Sequence, residues 1–267
     1  MRTLSQFSLE SRAGIRGLLF DIDDTITTHG QLTAAAYAAL ERLKHAGFIV
    51  AAITGRPAGW CDHIARMWPV DGVVGENGAF YFYYDHARKK MVQRFLSPDW
   101  ERAATKKRLL AIAEKILREV PGAAMASDQG YREADIAIDF CEDVAPLQHT
   151  EIQRIKQLME DAGLTAKISS IHVNGWFGTH DKLSTTKIFM QEVFNINLEE
   201  RKNEFVFIGD SPNDAPMFSC FPHSVGVANV NDFAESLLPN RPAHVTTARS
   251  GEGFIELAAA LLSARTA

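Results

Sequence analysis

The chain has 267 residues, 46% of them hydrophobic, with 28 Lys and Arg against 33 Asp and Glu and a net charge of -5. That length carries one large domain or a core with an inserted smaller one, and the apolar content excludes wholesale disorder. The acidic balance gives no basic footprint for nucleic acid and no polybasic membrane patch, so an anionic substrate needs a few placed cations.

Gly17-Leu18-Leu19-Phe20, within a strand predicted over 15–22, is apolar without helical spacing. A helix is expected over 33–45, capped by Thr33 and closed by Gly47, then a buried strand over 48–53 ending in Thr54-Gly55-Arg56-Pro57. A helix over 59–67 and a short strand over 72–74 complete a strand–helix alternation that signals a doubly wound parallel sheet. The rhythm then changes. Segments 79–84 and 91–95 suit a packed hairpin, and a long helix over 100–120 is ended by Pro121-Gly122. Strands are expected over 136–140 and 167–173, with a helix over 148–162 between them. From Thr185 the first rhythm returns: a helix to Phe194, a strand over 205–208, short strands near 225–227 and 243–245, and helices near Phe233 and from Gly253. The fold class read from this order is α/β, a Rossmann-like doubly wound parallel-sheet core with an inserted α+β cap. The core is assigned to 1–95 and 180–267, and the cap to 96–179.

Cys61, Cys141 and Cys220 lack CxxC spacing, which reads as buried thiols in a reduced compartment. The opening MRTLSQFSLESRAG lacks the apolar core of a signal peptide, and no apolar run reaches membrane length. A cytoplasmic location is expected.

In an open parallel sheet, ligands bind at the carboxyl ends of strands. Three strands here end in reactive residues: the first in Asp21 and Asp23, the second in Thr54, and the late one in Asp210, with Asn213 and Asp214 in the following loop. Each alone is an ordinary turn residue or helix cap. Together on one edge, like charges repel unless a cation neutralises them. Hard oxygen donors without His or Cys favour magnesium over zinc.

Asp21-Ile22-Asp23-Asp24-Thr25, Ile53-Thr54-Gly55-Arg56, Lys182 and Gly209-Asp210-Ser211-Pro212-Asn213-Asp214 resemble, in order, the four motifs of the haloacid dehalogenase superfamily. Gly75-Glu76-Asn77-Gly78-Ala79 resembles a segment of its subfamily IIB (Cof-type and sugar-phosphate phosphatases), whose α/β cap is inserted between the second and third motifs. Gly251-Glu252-Gly253-Phe254 resembles the end of sugar-phosphate phosphatases in that branch. The resemblance implies a phosphoric monoester hydrolase acting on a small phosphorylated metabolite, a sugar phosphate being the expectation.

The implied nucleophile is Asp21, forming an aspartyl-phosphate, with Asp23 as general acid and base. Mg2+ would be held by Asp21, Asp210 and the Asp23 backbone carbonyl, with Asp214 and Asn213 around its waters. Thr54 and Lys182 would hold the transferring oxygens. Lys182 is preferred to Lys187, which lies about a turn into the predicted helix, although Lys182 lacks the glycine that usually follows the family's lysine. Gly55, Arg56, Asn77 and Asn213 complete the expected substrate contacts, Arg56 being read equally well as a solvated loop residue. Asp24 and Thr25 are assigned to holding the loop.

Segment 127–133 is read as a specificity loop whose residues are individually exposed. Asn174-Gly175 is read as a turn, with His172 and Trp176 either facing the cleft or packing a hairpin. The alternatives carried are a sugar phosphomutase, which needs a second anion site in the cap, and a sugar-phosphate sensor, for which an acid–base residue such as Asp23 has no purpose.

Overall fold

The structure is a computed structural model and describes residues 1–266. In chain order the elements are β1 (Arg2–Thr3), α1 (Leu9–Ala13), β2 (Gly17–Phe20), α2 (Ala34–His45), β3 (Ile49–Ile53), α3 (Ala58–Met67), β4 (Gly72–Gly75), β5 (Phe80–Asp85) and β6 (Lys90–Phe95). There follow α4 (Asp99–Glu119), β7 (Ala124–Met125), β8 (Asp135–Asp139), α5 (His149–Asp161), β9 (Thr165–Ile168) and β10 (His172–Trp176). The chain closes with α6 (Lys182–Phe194), α7 (Leu198–Arg201), β11 (Phe205–Gly209), α8 (Ala215–Cys220), β12 (Val225–Gly226), β13 (His244–Val245) and α9 (Ser250–Thr266).

A nine-stranded sheet runs β1-β13-β12-β11-β2-β3-β4-β5-β6. It is parallel from β1 to β4, and the β5–β6 hairpin extends it antiparallel. β2, β4 and β11 are buried along their whole length, as strands covered by helices on both faces must be. One face carries a cluster containing Leu18, Phe20, Leu40, Ile64, Phe254 and Leu257; the other carries Leu19, Ile53, Phe189, Phe207 and Met217. The architecture is therefore α/β and doubly wound. The aromatic hairpin packs as expected, with Phe80, Tyr81 and Phe82 buried.

A second sheet, β7-β8-β10-β9, lies within the inserted segment and has its own core of α4, α5 and strand residues. Here several expectations need correction. The strand predicted over 167–173 is two strands, β9 and β10, antiparallel and joined at Ser169-Ser170. The Ser169 hydroxyl makes that turn by accepting the Ile171 and His172 amides. Asn174-Gly175 is not a turn but the middle of β10, paired on both sides. Gly175 is required there because a Cβ would meet the Met159 sulfur at 2.7 Å. The helix expected from Thr185 begins at Lys182, capped by Asp181, whose carboxylate accepts the Ser184 amide at 2.7 Å. The helix near Phe233 is a 3-10 turn over Ala228–Phe233.

Candidate active site

β2, β3 and β11 are adjacent, so their carboxyl ends bring Asp21, Thr54 and Asp210 to one edge. Asp21 continues β2, donating its amide to the Ile208 carbonyl of β11. Behind it, Asp214 folds back so that its Oδ2 accepts the Asp210 amide at 3.1 Å. That approach needs Gly209, where a Cβ would stand 2.2 Å from the same oxygen. The first residue of α6 supplies the counter-charge: Lys182 Nζ is 3.0 Å from Asp21 Oδ1 and 2.8 Å from Asp214 Oδ1. Thr25 donates its hydroxyl to Asp210 at 3.4 Å, holding the loop as expected of it. Lys187 instead pairs with Glu199 on the surface.

Carboxylate oxygens of Asp21, Asp210 and Asp214 all lie within 4.8 Å of one another, and all three residues are buried. Burial pushes the Asp21 carboxyl up to about 7, against the pull of Lys182 and with Asp214 and Asp23 adding to the rise. Burial, then Asp21 and Asp214, push Asp210 well above the ordinary carboxylate range. Burial also disfavours the Lys182 ammonium, but Asp21 and Asp214 more than offset it and keep the cation charged. Three acids against one ammonium leave an excess of negative charge. Their oxygen-only donor set fits a hard divalent cation such as Mg2+.

Asp23 lines the same cleft as Asp21 and Lys182. Its carboxylate is gripped by Arg56, through Nε at 3.0 Å and Nη2 at 2.8 Å. Arg56 is 3% exposed, which decides against the solvated-loop reading. It also reaches the inserted segment, at 3.3 Å to Asp128 and 2.6 Å to Glu142, and stacks its guanidinium on Trp60. Burial opposes ionisation of Glu142, yet the side chains of His172 and Arg56 hold its carboxyl down at about 2. His172 Nε2 stands 3.0 Å from Glu142 and lines the cleft. Trp176 is buried and donates its indole N–H to the His180 carbonyl.

Thr54 is fully buried, and its hydroxyl accepts the Arg56 amide at 3.0 Å. Asn213 donates to the Asn77 side chain at 2.9 Å, bridging the late loop to the first crossing into the insertion. Asn77 and Gly78 both have positive φ, 54° and 107°, as a turn there requires. Gly78 is indispensable to the local packing, because a Cβ would sit 2.1 Å from the Asp181 carbonyl oxygen.

Of the seven residues 127–133 expected to be individually exposed, three are interior, and this is a second correction. Asp128, Gln129 and Arg132 are buried, while Tyr131 stays 61% exposed. Arg132 bonds Asp128 and Asp135 and donates to the Gly55 carbonyl at 2.9 Å. Glu76 accepts the amides of Ala58, Glu133 and Ala134, tying α3 to the insertion. Thr27 accepts the Asp24 amide and donates to the Ile22 carbonyl, fixing the loop after β2. Asp128 and Arg132 lie in the polar segment 127–133 that the sequence singles out, whereas Asp135, the first residue of β8, lies beyond it. Glu142, Glu76 and Thr27 carried no such signal. Between the two sheets the cleft holding Asp21, Arg56, Lys182 and Asn213 measures about 20 Å³, roughly one water. The structure is therefore closed over its site.

Residues 18–115 match the model of a family described as haloacid dehalogenase-like hydrolase. The match spans the strands and helices from β2 through most of α4 and includes Asp21, Asp23 and Thr54. No curated protein sequence matches this chain. Among solved structures, a Thermoplasma acidophilum protein aligns at TM-score 0.68 and 19% identity, covering 93% of this chain and 98% of its own. The sucrose-phosphatase of Synechocystis, solved with sucrose and phosphate, aligns at 0.62 and 16%, covering 92% and 98%. A haloacid dehalogenase-like hydrolase of Bacteroides thetaiotaomicron aligns at 0.62 and 12%, with the same coverage. At these identities the three likenesses establish a shared fold.

Proposed function

We propose that this chain is a magnesium-dependent phosphatase that cleaves a small phosphomonoester through an aspartyl-phosphate on Asp21. The observation that carries the reading is the buried cluster of Asp21, Asp210 and Asp214 around the single ammonium of Lys182. The family match and the likeness to a sucrose-phosphatase support it.

Asp21 attacks phosphorus while the P–O bond to the alcohol breaks, and Asp23 gives its proton to the departing oxygen. Water then attacks phosphorus and passes a proton to Asp23 while the Asp21 Oδ–P bond breaks, which restores the Asp21 carboxylate and frees inorganic phosphate. Lys182 holds Asp21 in place and stabilises negative charge gathering on the phosphoryl oxygens. Thr54, Gly55, Asn77 and Asn213 shape the pocket for those oxygens, and Arg56 orients Asp23. Mg2+ held by Asp21 and Asp210, with the Asp23 carbonyl and Asp214 behind them, would neutralise the excess carboxylate charge and draw density from phosphorus. The inserted cap opens to admit substrate and closes to exclude bulk water.

A phosphorylated sugar is the substrate implied by the resemblance, the sugar alcohol being its leaving group, and cytoplasmic action on a small metabolite goes with it. A phosphomutase would need a cap cation free to hold a second phosphate; Arg132, the cap arginine lining the cleft, is committed to Asp128 and Asp135. The test is release of inorganic phosphate from a panel of phosphomonoesters in Mg2+. Release should stop on chelation and in Asp21→Asn; full turnover by Asp21→Asn would refute the covalent route.

A further inference from the structure

The group that protonates a leaving oxygen must lie beside it, so the leaving alcohol has to extend from the Asp21 cleft past Asp23. On that side Asp23 forms part of the wall of a second, open cavity of about 480 Å³. This volume suits a small molecule. Most of its wall is apolar and aromatic: Ile22 and Leu32 from around the loop after β2, Trp60, Ile64 and Trp68 from α3 and its end, and Tyr131 from the inserted segment. Trp60 and Tyr131 are 41% and 61% exposed, so both rings can be reached by a molecule entering the cavity. Tyr131 lies over Gly59, where a Cβ would meet it at 2.9 Å, so a glycine lets the cap's tyrosine rest on α3 at the cavity rim. The polar side chains available are Asp23, Thr27 and His63, with the Tyr131 hydroxyl and the two indole N–H groups on the rings themselves.

A polyhydroxylated leaving group would leave most of its hydroxyls facing hydrocarbon in this cavity, which costs affinity. A flat ring would stack on the indoles and bury apolar area. A smaller cavity of about 300 Å³ also touches Asp23, but it is walled by Asp24, Glu142, Ser170 and the Arg56 guanidinium that Glu142 holds. It is the place for a hydroxyl-rich group, at lower volume and with its cation engaged.

We propose that the cavity beside Asp23 walled by Trp60, Trp68 and Tyr131 is the leaving-group pocket, and that it selects phosphomonoesters whose alcohol carries an aromatic or heteroaromatic ring. The proposal rests on the phosphatase reading and narrows its substrate class away from sugars.

Four primary-alcohol esters with similar leaving oxygens make the test: 2-phenylethyl phosphate, 3-indolylethyl phosphate, glycerol 1-phosphate and glucose 6-phosphate. The ring-bearing esters should exceed the other two in kcat/KM by about tenfold or more, the range that apolar pockets achieve. In Trp60→Ala and Tyr131→Ala that ratio should fall toward one, whereas Trp100→Ala, an exposed indole at the start of α4, should preserve it. Preference for glucose 6-phosphate, or a ratio unmoved by both pocket variants, would overturn the proposal while leaving the phosphatase reading intact. Absence of release from every ester would overturn the phosphatase reading instead. The pocket then remains testable by calorimetry with 2-phenylethylphosphonate against methylphosphonate, where equal affinities would overturn it.

Discussion

Lys182 and Asp21 meet at 3.0 Å with both side chains buried, although the whole inserted segment separates them in the chain. Removing the cation leaves Asp21 and Asp214 facing each other without compensation. Lys182→Met should therefore cost roughly 3–5 kcal/mol of stability, the usual penalty for breaking a buried pair. Added Mg2+ should recover part of that loss, as read by denaturant unfolding with and without the ion. Unchanged stability would refute the pairing. Lys187→Ala, by contrast, should leave turnover unaltered.

Arg56 grips Asp23, and so the two should fail in different ways. Asp23→Asn should slow alkyl phosphates by about 10²–10⁴-fold, the usual worth of a positioned acid. An aryl phosphate with a good leaving group should suffer far less. Arg56→Lys keeps the charge but loses the planar fork, and should lower kcat for alkyl esters while leaving the aryl ester nearly untouched. Equal losses on both esters in Asp23→Asn would remove Asp23 from the proton-transfer role.

Gly78 has φ +107°, and the Asp181 carbonyl oxygen leaves no room for a Cβ beside it. Thr185 also donates its hydroxyl to the Gly78 carbonyl at 2.5 Å, so the start of α6 is fitted to this turn. Gly78→Ala should push Lys182 away from Asp21 and cost on the order of 1–3 kcal/mol from backbone strain alone. Both the thermal midpoint and kcat should fall. A fully active, equally stable variant would show that the contact yields.

Burial holds the His180 and His244 rings at about 4, below their ordinary 6.5. Neither ring nitrogen of His244 has a hydrogen-bond partner, so nothing offsets the cost of charging this buried ring, which stacks on Phe7. In the unfolded chain these rings gain protons near pH 6.5, while in the folded chain they resist until about 4. These two rings therefore withdraw stability as pH falls through that interval, against the opposite contribution of the raised Asp21 carboxyl. Relative to the parent, His244→Phe should gain thermal stability progressively as pH is lowered from 7 to 4, and a difference independent of pH would refute the assignment.

The parallel core was legible because β2, β3 and β11 are apolar runs ending in Asp21, Thr54 and Asp210, and covered parallel strands advertise themselves in that way. Lys182 could be chosen over Lys187 from its place just ahead of a helix. The partners of Arg56 could not be foreseen: Asp128 and Glu142 arrive from the insertion, and only tertiary packing brings them to β3. The same limit explains Asn174-Gly175. The dipeptide carries a local turn preference, but β8 and β9 pair with it on both sides and override that preference. Arg132 was mistaken for a surface residue because a charged side chain looks solvated until Asp128 and Asp135 are placed around it.

Every cation lining the cleft already has acidic company: Lys182 with Asp21 and Asp214, Arg132 with Asp128 and Asp135, Arg56 with Asp23, Asp128 and Glu142. A phosphate group arriving there must displace a resident carboxylate from its partner, so binding is an exchange and not a capture. The same exchange runs in reverse when inorganic phosphate departs, with a carboxylate ready to take back its cation. Product inhibition should accordingly be weak, and dilute buffers should offer the substrate no long-range attraction.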